Sequence, residues 1–433
     1  MGAASAGYGE RRITPRDNNH YLAGYIMRDK PMVGVHDDIY ARALILEAVW
    51  KPLVIIELDI LCIDRSIYMD IKRIADKVLG ENNLVVAASH THSAPSTLYR
   101  DPLHRIGKGE FRRDYYDYVL EMIREALEDA VNTLSPVHAW TASTEISGVA
   151  TDRNMPGNKI DREAVILGLE TPENRVLVID YPVHPTVLGP DNLHVTRDLV
   201  GFLQDALEET TGYKTMYLNG AAANISTRFT RMEQSFREAE RLGRLAADQI
   251  IKAIKTGKRS EVSIEDMVVY TDKYVLRAKK REDIAGLAAL IETSLKLKLK
   301  DTMDPRKRRA LEAQLEAVKA IKEFTGLLKD RERLEVVLTA INIDDKLGIV
   351  TWPGEIHSEA TLRLRRIPGY REIMLIGYAN EYIGYLVPDN KGEITYESLM
   401  QILEQGAFEE AITIMRDMLI HALTPESDGE NIE

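Results

Sequence analysis

The chain has 433 residues, 45% hydrophobic and 29% charged, with a formal net charge of −12. That length allows a large hydrophobic core, and the acidic balance argues against a general affinity for nucleic acid, which needs a basic footprint. The single cysteine, Cys62, excludes an internal disulfide, and no run approaches the ~18 apolar residues of a membrane span.

The opening MGAASAGYGERRITP lacks the basic segment and long apolar run of an export signal, so the expected address is the cytoplasm. YARALILEA and LVIIELDIL read as strands around a turn at Trp50–Pro52. SIYMDIKRIADKVLG has apolar residues at helical spacing and a terminal glycine, NLVVAAS is the next strand, and FRRDYYDYVLEMIREALEDAVNTL is a long amphipathic helix. HAWTASTEIS, AVILGLE and RVLVIDYPV follow as strands, the last two joined by the turn TPEN. Next come the helix RDLVGFLQDALEET, the strand KTMYLNG and a charged helix beginning near Met232.

Residues 280 to 330, rich in Lys, Arg, Glu, Leu and Ala and broken at Asp304–Pro305, read as a helical hairpin, either a structural arm or a lid. Strands resume in RLEVVLTAINI, LGIVTWPG and EIMLIGY, and a last helix runs from about Ser398 to Ala422. The expected fold is α/β, a mixed β-sheet core flanked by helices, with the charged hairpin inserted into one domain of residues 1–423 and a disordered tail at 424–433. No internal repeat is evident in the residues.

Three segments carry chemistry. VVAASHTHSAPS ends a buried strand with His90 and His92, which strand alternation would place on one face at the edge where open α/β sheets bind ligands. Such a pair either supplies a metal ligand and a donor or caps the following loop. His184 also stands at a strand end, before Pro185. In VTWPGEIHSEA, Glu355 sits where a helix begins, as a helix-dipole partner or an anionic ligand; His357, two residues on, faces elsewhere. Two histidines and a glutamate are a usual ligand set of catalytic zinc with an open position.

In order, SHTHSAP, HPT, NGAAANIS, WPGE and NEYIGY resemble motifs of the neutral ceramidases (HTHSGP, HPT, GDxSP, PGE and NxYxxY), and ITP…LAGY…GVHDDIYARALILE resembles the start of their catalytic domain. The resemblance is to short, single-domain members. It implies a zinc amidase with one ion, zinc or another divalent metal, held by His90, His184, Glu355 and Tyr385. It further implies that activated water attacks the carbonyl of an N-acyl, lipid-like or small-molecule substrate, with His92, Arg153 and Tyr396 stabilising the oxyanion.

Ser226 aligns with the serine of GDxSP, but here Asn224 replaces the aspartate and Thr227 the proline. It is therefore either a catalytic contact to substrate or water, or a turn residue. His36, beside Asp37 and Asp38, reads as a second metal site or as a residue at the pocket entrance. Asp198 reads as a carboxylate partner of a metal-bound histidine or a first-turn acid. An ester or phosphoester hydrolase on the same metal, and a non-catalytic metal-stabilised binding module, are the competing readings, and homo-oligomerisation is left open.

Overall fold

A computed structural model describes residues 4–424 apart from 49–50, 257–258, 390–394 and scattered positions within 305–331. Much of the expected hairpin's returning arm, and the expected tail beyond Thr424, lie outside the described residues.

The first strand, β1 (Ser5–Arg12), lies in the segment read above only for its lack of an export signal. It pairs antiparallel with β2 (Tyr40–Glu47), which pairs antiparallel with β3 (Leu53–Leu58). The chain crosses through α1 (Arg65–Leu79) to β4 (Asn83–Ala88), parallel to β3, and returns in α2 (Arg113–Asn132). Local signals set these limits: Asp64 caps α1 by accepting the Ile67 N–H, and Gly80 at φ 74° ends it. A short strand, β5 (Ser135–Pro136), then closes onto β1.

The same order occurs again. Strands β6 (His138–Glu145), β7 (Glu163–Glu170) and β8 (Arg175–Asp180) are linked antiparallel. Then α3 (Leu199–Thr211) leads to β9 (Lys214–Leu218), parallel to β8. Helix α4 (Phe236–Lys255) follows, and β10 (Ser260–Val262) closes onto β6. Helix α4 starts four residues later than the expected start near Met232, because Ser235 caps it through the Glu238 N–H.

A third round begins with β11 (Met267–Arg277), a half-exposed strand whose mixed polar sequence hid it. Helix α5 (Arg281–Asp301), the outgoing arm of the expected hairpin, is inserted before β12 (Arg333–Ile343). Strand β13 (Leu347–Thr351) pairs antiparallel with β12, α6 (Glu359–Leu364) follows, and β14 (Glu372–Ile376) runs parallel to β13. The single last helix expected is two, α7 (Tyr396–Met400) and α8 (Ala407–Leu423). Gln401 breaks them apart by turning extended, its side chain accepting the Val387 N–H and donating to the Leu403 carbonyl.

The chain is thus three strand–strand–strand–helix–strand–helix units, a repeat of topology that the residues do not display. Their sheets meet in one core containing Leu44, Ile55 and Val85 from the first, Val165, Val178 and Met216 from the second, and Ile341, Ile349 and Met374 from the third. Each such fully buried side chain contributes about 1.5–3 kcal/mol. The opposite face of each sheet is covered by its own helices.

This topology positions the site. In each unit the first, third and fourth strands run the same way, so nine connections leave one edge of the three sheets. Every proposed site residue lies in those connections. The insertion carrying α5 occupies the place that the loop with Arg153 takes in the second unit. Together with Val318 and Ile321 it packs against Leu399 and the partly buried Tyr396.

Candidate metal centre

His90 and His92 do not converge through strand alternation. Strand β4 stops at Ala88, and His90 adopts φ 68°, a left-handed conformation unusual for a non-glycine residue. The strain is held by its surroundings: the His90 N–H donates to the Ile60 carbonyl at 3.0 Å, and Tyr378 stacks on the imidazole at 4.1 Å. His184 follows β8, and its N–H is 3.3 Å from the Ile225 carbonyl. Glu355 follows β13 and bridges in parallel to Tyr385, its N–H donating to the Gly384 carbonyl at 2.9 Å. The glycine of WPGE allows this close approach, since a Cβ on Gly354 would lie 2.4 Å from the Gly384 oxygen.

Both outer imidazoles have a defined tautomer. His90 Nδ1 lies 2.7 Å from the Leu61 carbonyl, and His184 Nδ1 lies 2.8 Å from the Ala222 carbonyl. A carbonyl only accepts, so each Nδ1 carries a proton, and the Nε2 of the neutral ring is then the atom available to a metal. Glu355 Oε2 is 2.9 Å from His184 Nε2 and 3.7 Å from His90 Nε2. Both His184 Nε2 and Glu355 Oε2 are buried, and their 2.9 Å contact is satisfied by a proton on Nε2 or by a cation between the two atoms.

Tetrahedral ligands at about 2.0–2.1 Å stand roughly 3.3 Å apart, so these separations fit a zinc-sized ion. Burial works to raise the pKa of Glu355, but the two histidines and the Tyr382 hydroxyl outweigh it and hold the carboxylate ionised. Burial lowers His90 to about 4 against the pull of Glu355, leaving it neutral as a ligand must be.

His92 Nε2 lies 3.2 Å from His90 Nε2, and the three imidazoles offer nitrogens within 4.8 Å of one another. With His90 as acceptor, His92 Nε2 is the donor. Burial, then the neighbouring histidines, push its pKa well down, so it donates as a neutral group. The β1–β2 connection clamps it: Arg28 donates to its carbonyl at 2.8 Å, the Tyr25 ring is 5.0 Å away, and a Cβ on Gly24 would lie 2.5 Å from its Cγ.

Beside this cluster, Arg153 reaches Glu397 Oε1 at 3.2 Å and lies over the Tyr396 ring at 5.2 Å; the Tyr396 ring meets that of Tyr385 edge-on at 5.7 Å. Burial raises Tyr385 well above the usual phenol value, with the charge of Glu355 adding to it.

Three expected residues stand apart. Ser226 accepts the Arg228 N–H at 3.2 Å as a turn cap, and no base hydrogen-bonds to it among the described residues. Asp198 is not the partner of either imidazole, because both Nδ1 atoms are taken by main-chain carbonyls. Its carboxylate instead accepts the N–H groups of Val187, Leu188 and Leu199, fixing the loop after His184. His36 Nδ1 meets Asp37 Oδ1 at 2.9 Å while its ring stacks on Phe236 at 3.8 Å; Asp37 also accepts the Arg197 N–H and Asp38 turns to the Thr14 hydroxyl, so among the described residues the three do not form a second metal cluster.

The sequence reading passed over Tyr382, whose hydroxyl donates to Glu355 Oε1 at 2.5 Å, and Glu397, which holds Arg153. Tyr382 stands in the same NEYIGY motif as Tyr385, and Glu397 directly follows Tyr396.

The α/β fold of three sheets thus gathers histidines and a carboxylate in its edge loops. The profile of neutral/alkaline non-lysosomal ceramidase, N-terminal, matches residues 5–234. The chain belongs to this family. It is 23% identical over 245 residues to the neutral ceramidase of Pseudomonas aeruginosa and 24% identical over 230 residues to that of Mycobacterium tuberculosis. These matches span 51% and 48% of this chain but 36% of each relative. The crystal structure of the Pseudomonas aeruginosa neutral ceramidase superposes with a TM-score of 0.73 at 17% identity, covering 97% of this chain and 74% of that one. A ceramidase complexed with C2 gives 0.74 at 17% identity over 97% and 75%. Among the described residues, no helix is long and apolar enough to cross a membrane.

Proposed function

We propose that this chain is a zinc-dependent hydrolase that cleaves the amide bond of an N-acyl, ceramide-like substrate. In this reading residues 1–423 act as one hydrolase domain with the hairpin inserted. His90, His184, Glu355 and Tyr385 would hold the ion, and zinc so held would supply a Lewis acid and a water ionisable near neutral pH. The observation that carries the reading is the pair of imidazoles, each anchored through Nδ1 to a main-chain carbonyl, whose Nε2 atoms converge on one oxygen of a buried carboxylate.

The surrounding residues then take distinct tasks. His92, neutral and held from the N-terminal side, offers its Nε2 proton to the developing oxyanion. Arg153, charged and braced by Glu397, would offer its guanidinium to the same oxygen. Tyr396 stands edge-on to Tyr385 and is packed against the hairpin, where it would border the substrate. Loss of one such donor typically costs about 100- to 1,000-fold in rate. Ser226 shapes the turn beneath His184 rather than attacking the substrate.

The test is hydrolysis of a short-chain ceramide by purified protein of measured zinc content, with His90→Ala as control. Release of fatty acid that is lost with a chelator, restored by zinc and absent from the variant is the expected result. Turnover of esters or phosphoesters but not amides would favour the other hydrolase reading, and no turnover by zinc-loaded protein would remove the enzyme reading.

A further inference from the structure

We infer that Tyr382 is a positioning residue for the metal centre: its hydroxyl fixes the Glu355 carboxylate so that one oxygen is taken and the other is aimed at the histidines. The inference rests on the metal-site reading above and assigns a task to a side chain which that reading leaves unused.

The geometry is specific. Tyr382 donates to Oε1 at 2.5 Å, whereas Oε2 faces His184 at 2.9 Å and His90 at 3.7 Å. A carboxylate free to rotate would exchange these oxygens; one held by a short charge-assisted bond does not. The phenol is itself fixed. The chain from Tyr378 to Tyr385 returns across the site edge, with the Ile383 N–H donating to the Pro353 carbonyl at 2.8 Å and the Asn380 N–H to the Val86 carbonyl at 2.7 Å. His104 Nε2 meets the Tyr382 carbonyl at 3.0 Å, so the residue is held from two units of the fold. Tyr382 is 8% exposed, and a carboxylate oxygen accepts, so the phenol is the donor of this bond.

The two tyrosines of NEYIGY thus divide the work around one glutamate. Tyr385 lies opposite Glu355 in the bridge and belongs to the proposed ligand set, while Tyr382 acts through Glu355 without entering it. Hydrogen-bond partners of metal ligands typically contribute 10- to 100-fold to metal affinity.

The experiment measures zinc affinity of the full chain by competition with a chromogenic chelator, for wild type, Tyr382→Phe, Glu355→Ala and the double variant. Apo-protein melting temperature serves as the folding control, and the visible spectrum of the cobalt-loaded proteins as a second readout. The expected results are zinc affinity reduced 10- to 100-fold by Tyr382→Phe, with a shifted cobalt spectrum. In the Glu355→Ala background the same substitution should change zinc affinity by less than twofold, because the group it acts through is gone. Zinc affinity within twofold of wild type in Tyr382→Phe, or equal losses in both backgrounds, would overturn the inference. If Tyr382→Phe does not fold, the comparison between Glu355→Ala and the double variant still decides, since a further loss there contradicts action through Glu355. Failure of wild type itself to bind zinc would instead remove the metal-site reading, and the inference with it.

Discussion

Truncating Glu397 tests the proposed role of Arg153 apart from that of the proposed metal ligands. Glu397 is almost wholly buried; its Oε1 lies 3.2 Å from Arg153 Nε and its Oε2 accepts from Asn154 at 3.0 Å. Removing one partner of a fully buried ion pair costs about 3–5 kcal/mol. The Arg153 side chain keeps 15% of its exposure, so the loss here should be nearer 2–3 kcal/mol. If that energy serves to hold the guanidinium in place during the reaction, Glu397→Ala lowers kcat/KM by about 30- to 150-fold. Zinc content should be unchanged, because no proposed ligand touches Glu397. The assay is steady-state hydrolysis of a fluorescent short-chain ceramide beside metal analysis of the same preparation. Glu397→Gln, which keeps the shape and one acceptor, should lose less. Wild-type turnover in Glu397→Ala, or zinc loss in proportion to activity, would refute the assignment.

His92→Gln should bind zinc as wild type does yet lose about 100- to 1,000-fold in kcat; a parallel loss of zinc would instead make His92 a ligand, which its 3.2 Å approach to His90 allows geometrically. Gly24→Ala should lower turnover with zinc retained, because its Cβ would meet the His92 ring at 2.5 Å in a backbone with φ 96°; unchanged kinetics would show that this clamp is not needed. His20 predicts an acid-labile fold. Burial, then repulsion from Arg112, lowers its pKa from 6.5 to about 4, so between those values the unfolded chain binds a proton that the folded chain does not. Stability from this residue is present above pH 6.5 and falls as the pH drops toward 4, by at most about 3 kcal/mol. Denaturant titrations of His20→Gln should show a shallower loss over that window, and identical slopes would contradict the burial argument.

Helices and inner strands were legible because their signals are local. The strands Tyr40–Glu47 and Leu53–Leu58 are runs of apolar residues, and Asp64 and Gly80 mark both ends of the helix between Leu58 and Asn83. The half-exposed Met267–Arg277 was not legible, since its neighbour in the sheet, rather than its own pattern, makes it a strand. Nor was the threefold topology, which resides in pairing and direction while the residues of the three units differ. At the site, the histidines and Glu355 could be singled out as residue types at strand ends, but the reason offered for His90 and His92 was wrong in kind. A left-handed backbone at His90, not strand alternation, turns them together. Which imidazole nitrogen faces inward depends on the carbonyls of Leu61 and Ala222, and no feature of the sequence near His90 or His184 points to those atoms. Asp198 illustrates the converse: a carboxylate near a histidine in sequence is spent on loop N–H groups.

In the proposed site one ion joins loops of three separate sheets. Anomalous scattering at the zinc edge from crystals of the zinc-loaded protein measures this directly. The prediction is a single peak within about 2.0–2.2 Å of His90 Nε2, His184 Nε2 and Glu355 Oε2, with the Tyr385 hydroxyl as the protein's fourth ligand. A zinc peak elsewhere in the loaded protein, with the His90 and His184 Nε2 atoms bonded to no metal, would contradict it.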